Sequence, residues 1–542
     1  MTFFRASILV SFLFLIKPLE FIATNILDVN FLTHLLTPIY FSLILLLITL
    51  FLTYLLNLFF NEKRILFLLT FIGFFFYFQF YWLQITYFFE YILGGQALIF
   101  YKTISLLIIL SVSVFLACLC LKKKFFRFPL AISFLVVCSQ LILISSDLRA
   151  YLNSDSENLS LDTSTLQEEQ KKTSMSNNGE SITSKNNAYY IVIDSLASLN
   201  FIEKQEELNS EPYKDFIRKI TGDGYFHLSQ SNSSYNSTHF TFTSIFNLDY
   251  FDIEFTHKDR YKFYPNFLYK KGDPPKLVKE LDGINYDFYL SGNGQWANCK
   301  KSKIIHAKCL NKPSENKFIS MITNDGFVTF IRNSLFIPLE GILVSRFNIR
   351  YFQPFDGIEN FLGSNNSILN PNSSSFYLIH NLSPHTPYLD SSCKFNSLAN
   401  LSESMDIDVN LIKNYPGSLI AYYQSVKCAL NDLTKLLDII NEQDPDAIVV
   451  IQGDHGTLFN YNFSINPLLH ENSVLQDRFS IFNALKLPRY CDQPKSLKLG
   501  NVETIQIVMA CLKNEKAKEP KNLSYVGNRK FDQTTDVTDR LD

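Results

Sequence analysis

Two patterns divide the chain. Up to about residue 146 it is a series of long apolar runs separated by short charged turns, at 7–23, 36–60, 65–93, 98–121 and 129–145. Crossing a bilayer core takes ~20 apolar residues, so the five runs read as transmembrane spans, the first interrupted by Lys17 and Glu20. A cleaved signal peptide suits the first run poorly, because further apolar runs follow directly. Residues 147–187 change to Ser, Asn, Glu, Lys and Thr with almost no aromatic, the composition of a flexible linker. Beyond it, 189–193, 375–379 and 447–451 are short β-prone apolar runs bounded by turn residues, which predicts buried parallel strands. Residues 419–441 and 502–512 carry apolar side chains at helical spacing. Strands alternating with helices predict an α/β/α sandwich over 188–513, behind a five-helix transmembrane bundle over 1–146. Residues 514–542 read as a charged C-terminal tail, of which 535–538 can dock on the domain.

Charge orients this plan. The 49 basic and 51 acidic residues leave a net charge of −2, without the basic stripe of a nucleic-acid binder. Only 13 charged side chains fall in residues 1–146, which argues against a wholly cytosolic protein and against a polar transport pathway through the bundle. Arg5, the Glu62-Lys63-Arg64 turn and the Lys122–Lys124 and Arg127 group mark cytoplasmic ends under the positive-inside rule. Five spans then deliver the remainder to the outer side of the cytoplasmic membrane. Cysteine usage agrees. Cys118, Cys120 and Cys138 lie in the spans, and Cys299, Cys309, Cys393, Cys428, Cys491 and Cys511 lie outside them. An even number outside suits an oxidising compartment. Neighbour pairing, 299–309, 393–428 and 491–511, is preferred among the possible connectivities.

The candidate chemistry sits at strand ends. Asp194 follows 189–193, His380 follows 375–379, and Asp454-His455-Gly456 closes the run 447–451. In open α/β sheets ligands gather outside the carboxyl ends of strands, so three distant segments would converge. Two carboxylates and one imidazole suit Zn²⁺ or Mn²⁺. A metal of this kind activates a hydroxyl by lowering its pKa. Residues 231–243, SNSSYNSTHFTFT, offer such hydroxyls ahead of an apolar stretch. A loop ending at a helix N-terminus would aim a hydroxyl and backbone N–H groups at an anion. A plain polar loop with an N-cap is the simpler reading of the same residues.

The order of these segments resembles the alkaline-phosphatase-like sulfatase superfamily. More narrowly it resembles the membrane-anchored branch containing lipoteichoic acid synthase and lipid A phosphoethanolamine transferase. The resemblance spans the architecture of nearly the whole chain, with motif matches in five or six short segments. It implies Asp194, Thr238, Asp454 and His455 as ligands of one divalent metal ion, with Thr238 in Tyr235–Thr241 also the nucleophile. It implies His385 in His385-Thr386-Pro387-Tyr388 as a catalytic, substrate-contacting residue. Trp296 resembles a tryptophan near a lipid-headgroup pocket, and His380 lies where it can line the same pocket. Ser237 and Thr241 neighbour Thr238 and carry the same chemistry. Arg478-Phe479, Asn483-Ala484 and Pro488 resemble a structural segment.

Departures from the pattern narrow the reading. The Cys-x-Pro-x-Arg motif of most sulfatases does not occur. Ser291 stands where the synthase shows a histidine, which speaks against glycerol-phosphate polymerisation. The expected activity is therefore a phosphoryl-type transfer or hydrolysis at the outer face of the membrane. It would use a membrane lipid donor and an envelope glycan or lipid acceptor. The alternatives are a sulfuric-ester hydrolase and a catalytically degenerate envelope-assembly protein.

Overall fold

The computed structural model describes residues 2–24, 31–79, 98–122, 127–142, 186–251, 263–264, 266–269, 274–291, 307–310, 355, 362, 374–385, 388–394, 418–457, 459, 469–527 and 534–541. They fall into two compact units.

The first unit contains helices Thr2–Thr24, Phe31–Leu56, Glu62–Phe78 and Leu98–Cys120, and a further helix over 127–142. Each coincides with one of the five apolar runs. Leu9, Leu13 and Ile16 pack with Ile65, Leu66 and Leu69. Gly73 permits this approach, because a Cβ there would stand 3.1 Å from Val10. Among the described residues, no helix is long and apolar enough to cross a membrane.

The second unit is a seven-stranded sheet with helices on both faces. Its strands are β1 (Ala188–Ile193), β2 (Phe226–His227), β3 (Tyr286–Ser291), β4 (Ala307–Cys309), β5 (Ser374–Asn381), β6 (Ile448–Gly453) and β7 (Asn483–Lys486), in the order β2-β7-β6-β1-β5-β3-β4. The five strands from β6 to β4 are parallel, while β7 and β2 are antiparallel to their neighbours. β1 is buried along its whole length, as a central parallel strand must be. Tyr189, Ile191 and Ile193 face one core with Tyr213 and Leu433, whereas Ala188, Tyr190 and Val192 face a second with Phe242 and Ile505. Helices Glu211–Gly222 and Ser418–Gln443 cover the first face, and helices Thr238–Asn247, Lys276–Gly283 and Asn501–Lys513 the second. The observed α/β/α layering is the predicted one.

Two of the preferred disulfides are present, Cys393–Cys428 and Cys491–Cys511. Cys299 lies outside the described residues, and the 299–309 pairing with it. Cys393–Cys428 closes a 35-residue separation, so it restricts the unfolded chain by about 4 kcal/mol. The double substitution Cys393→Ser/Cys428→Ser is expected to lower the free energy of unfolding by about that amount. Thermal unfolding with and without the pair measures it, and an unchanged midpoint would show that the bond contributes nothing.

The C-terminal segment departs from expectation. Strands β8 (Tyr525–Gly527) and β9 (Thr534–Asp536) form a hairpin followed by a short turn, Thr538–Arg540. Val526, Val537 and Leu541 are buried against Leu475 and Phe479. The domain therefore continues to Leu541, and the segment is not a loose tail. Its apolar residues are too few and too widely spaced to show a period among the charges, yet each fills a gap in the core. Residues 535–538 do dock, as the sequence allows.

Candidate active site

Register brings the site together. β1 lies between β5 and β6, and Ile193 pairs with both Asn381 and Gly453. Asp194 and Asp454 thus leave the sheet side by side at its carboxyl edge. The Asp194 N–H donates to the Asn381 carbonyl at 2.8 Å. The chain then turns through Ser195, whose φ of 61° is held by Tyr422, which donates to the Ser195 carbonyl at 2.7 Å. Gly453 and Gly456 permit the close passage of other backbone. A Cβ would come within 2.4 Å of the Leu196 carbonyl at Gly453 and 2.2 Å of the Asp477 carbonyl at Gly456.

One ligand atom each from Asp194, Asp454 and His455 lies within 4.8 Å of the others, all three residues being buried. His455 Nε2 is 3.6 Å from Asp194 Oδ1 and 3.4 Å from Asp454 Oδ2. His455 Nδ1 lies 2.9 Å from the Gly456 carbonyl, which can only accept. The proton therefore sits on Nδ1, and Nε2 turns its lone pair to the cluster. Asp454 Oδ1 accepts from the Ser195 and His455 N–H groups, each at 2.9 Å. Its other oxygen has no hydrogen-bond partner among the described residues.

Thr238 completes the group from the far side. It is the first residue of helix Thr238–Asn247, after an extended Ser237. Its Oγ1 stands 3.2 Å from His455 Nε2 and 3.4 Å from Asp194 Oδ2. Neither neighbour competes. Thr241 Oγ1 donates to the Asp454 carbonyl at 3.0 Å, and no described contact brings Ser237 Oγ to the cluster. The first helical turn also leaves backbone N–H groups without partners inside the helix, beside the Thr238 hydroxyl.

Electrostatics matches this donor set to a cation. Burial would raise Asp194, but His385 and His380 outweigh it and hold that carboxyl well below its ordinary range. Asp454 moves the other way, raised by burial and by the Asp194 charge. Burial and then the Arg478 guanidinium keep His455 neutral. Two adjacent carboxylates, a lone-pair imidazole nitrogen and a carboxylate oxygen without a donor fit a divalent ion.

No protein-family model matches this sequence, and no curated protein matches it. Among solved structures, the chain is similar to the C-terminal periplasmic domain of EcEptC from Escherichia coli, with 11% identity, 66% of this chain and 94% of that chain covered, and a TM-score of 0.38. It is also similar to the integral membrane protein lipooligosaccharide phosphoethanolamine transferase A (EptA) from Neisseria meningitidis, with 12% identity, 95% and 96% covered, and a TM-score of 0.37. A third is the lipoteichoic acid synthase LtaP from Listeria monocytogenes, with 13% identity, 64% and 79% covered, and a TM-score of 0.32.

The remaining predicted residues divide. His380 is buried on β5, with Nε2 3.8 Å from Asp194 Oδ2 and without a hydrogen-bond partner among the described residues, while Nδ1 meets the Tyr264 hydroxyl at 3.3 Å. His385 follows β5, half-buried, and its charge acts on Asp194 and His455. Trp296 lies outside the described residues. Ser195 escaped the sequence reading. Its hydroxyl reaches Asp194 Oδ1 at 3.1 Å and His455 Nδ1 at 3.3 Å. The only sequence signal for it is a small polar residue directly after a strand-ending aspartate.

Proposed function

We propose that the chain is a membrane-anchored, metal-dependent phosphoryl-type transferase or hydrolase with Thr238 as nucleophile. The observation that carries this reading is the position of the Thr238 hydroxyl, at a helix start and within 3.4 Å of both His455 and Asp194. Asp194, Asp454, His455 and Thr238 would hold one divalent ion, Zn²⁺ or Mn²⁺. Such an ion lowers the pKa of the hydroxyl and neutralises charge on the phosphoryl oxygens. The Thr238 hydroxyl would lose its proton to solvent, and its oxygen attacks phosphorus in line as the bond to the leaving oxygen breaks, giving a phospho-threonine. His385 protonates that leaving oxygen, and His380 lines the substrate pocket. An acceptor hydroxyl or water then displaces the threonine. Ser195 and the Gly456 carbonyl fix the His455 ring during these steps.

The five apolar runs of the sequence support a multi-pass anchor in the cytoplasmic membrane. The two disulfides support an extracytoplasmic site. Both favour a lipid donor and an envelope glycan or lipid acceptor, in the manner of phosphoethanolamine or phosphoglycerol transfer. The test combines elemental analysis of the full chain in detergent with its intact mass after incubation with a lipid extract. The expected result is about one equivalent of metal and a mass adduct that maps to Thr238. A chain free of metal and adduct would support the degenerate alternative instead.

A further inference from the structure

We propose that Arg478 is a positioning residue that sets the Thr238 hydroxyl and the His455 imidazole against each other. The inference rests on the reading of Thr238 as nucleophile and extends it to a residue that the sequence marks only as structural. Arg478 lies near the end of helix Asn472–Phe479 and heads the largest fully buried side chains. Its Nε donates to the Asn236 carbonyl at 2.8 Å, and Nη2 donates to the same oxygen. Its Nη1 donates to the Gly456 carbonyl at 2.9 Å.

These two carbonyls bracket the reactive pair. Asn236 stands two residues before Thr238, and Gly456 directly follows His455. The Gly456 oxygen also accepts from the His455 Nδ1–H, so a single acceptor links guanidinium to imidazole. The contact is reciprocal, because the Gly456 N–H donates to the Arg478 carbonyl at 2.7 Å. The next residue joins the same loop, with the Ser233 N–H donating to the Phe479 carbonyl at 2.7 Å. A planar fork can span two carbonyls at fixed separation, whereas an ammonium on a flexible stem cannot hold both. Burying a guanidinium costs several kcal/mol. The fold keeps it where two loops meet at the site.

Removing a group that orients metal-binding or catalytic residues lowers affinity or activity by about 10–100-fold. The test uses the full chain in detergent and the variants Arg478→Lys and Arg478→Gln. Zn²⁺ affinity is measured by competition with a chromophoric chelator, kcat and KM with bis(p-nitrophenyl) phosphate, and folding by circular dichroism. Arg478→Lys is expected to stay folded, to lose about 10–100-fold in kcat with KM within about threefold, and to bind Zn²⁺ about tenfold more weakly. Arg478→Gln should fall further on both readouts. A folded Arg478→Lys with wild-type kcat and Zn²⁺ affinity would overturn the proposal, as would a loss confined to KM. Unfolding of both variants would assign Arg478 to stability alone and overturn it too. Equal turnover by Thr238→Ala and the wild-type chain would remove the nucleophile reading instead, and the Zn²⁺ affinities would then decide the His455 half separately.

Discussion

Thr238→Ala is expected to lower turnover by about a thousand-fold or more, with the fold retained. Among the described residues the hydroxyl holds no backbone group; it meets the Asp194 carboxylate and His455 Nε2. Deleting it leaves the helix start intact, because Ser237 makes no side-chain cap that the substitution would disturb. The residual rate would come from the remaining electrostatics of the site, which act on phosphorus without a nucleophile. Thr238→Ser keeps the oxygen and should retain a measurable fraction of kcat, so the pair separates the loss of an atom from the loss of a shape. The assay is steady-state release of p-nitrophenol, run beside thermal unfolding of the same samples. Turnover by Thr238→Ala above about a tenth of wild type would sink the assignment, and Ser237 would be the next hydroxyl to test.

Much of this site was legible because its chemistry lies where sheet geometry exposes it. Asp194, Asp454 and His455 follow apolar runs whose composition already requires buried strands, and a strand that ends in a carboxylate has few other uses for it. Thr238 was readable only through motif order; by composition it stood level with Ser237 and Thr241, and contacts alone separate them. The supporting residues were less visible. Ser195 acts through a positive φ that no neighbouring glycine signals. Arg478 acts through carbonyls of residues 22 and 242 positions away in sequence, and backbone carbonyls leave no mark on a sequence. β2 and β7 are too short for a period to show, and they pair at one edge of the sheet. The C-terminal hairpin was hidden by its charge, which solvates one side while Val526, Val537 and Leu541 fill the other.

That hairpin carries the second large expectation. Deleting residues 523–542 should destabilise the domain by about 5 kcal/mol or more and abolish turnover. Three apolar side chains leave the core, at roughly 1.5–3 kcal/mol each for full burial. Polar groups lose partners as well. The Asn236 amide, fully buried, pairs with the Gly527 backbone through Nδ2 to its carbonyl at 3.1 Å and through Oδ1 from its N–H at 2.8 Å. The Ser233 carbonyl accepts from Ser524 Oγ and the Ser234 carbonyl from the Tyr525 N–H, each at 2.9 Å. Ser233, Ser234 and Asn236 belong to the loop that delivers Thr238, so the deletion unbraces the Thr238 hydroxyl and strips buried groups of their bonds, at about 1–3 kcal/mol for each left unsatisfied. Gly527→Ala makes the same point more gently. Its Cβ would lie 2.0 Å from the Phe240 ring, so that ring must shift, two residues beyond Thr238, and kcat should fall more steeply than the melting temperature. A truncated chain that melts and turns over like the full one would show that residues 523–542 brace nothing, and that contacts such as those of Arg478 with Asn236 and of the Ser234 N–H with Asn501 Oδ1, at 2.9 Å, hold the Thr238 loop without them.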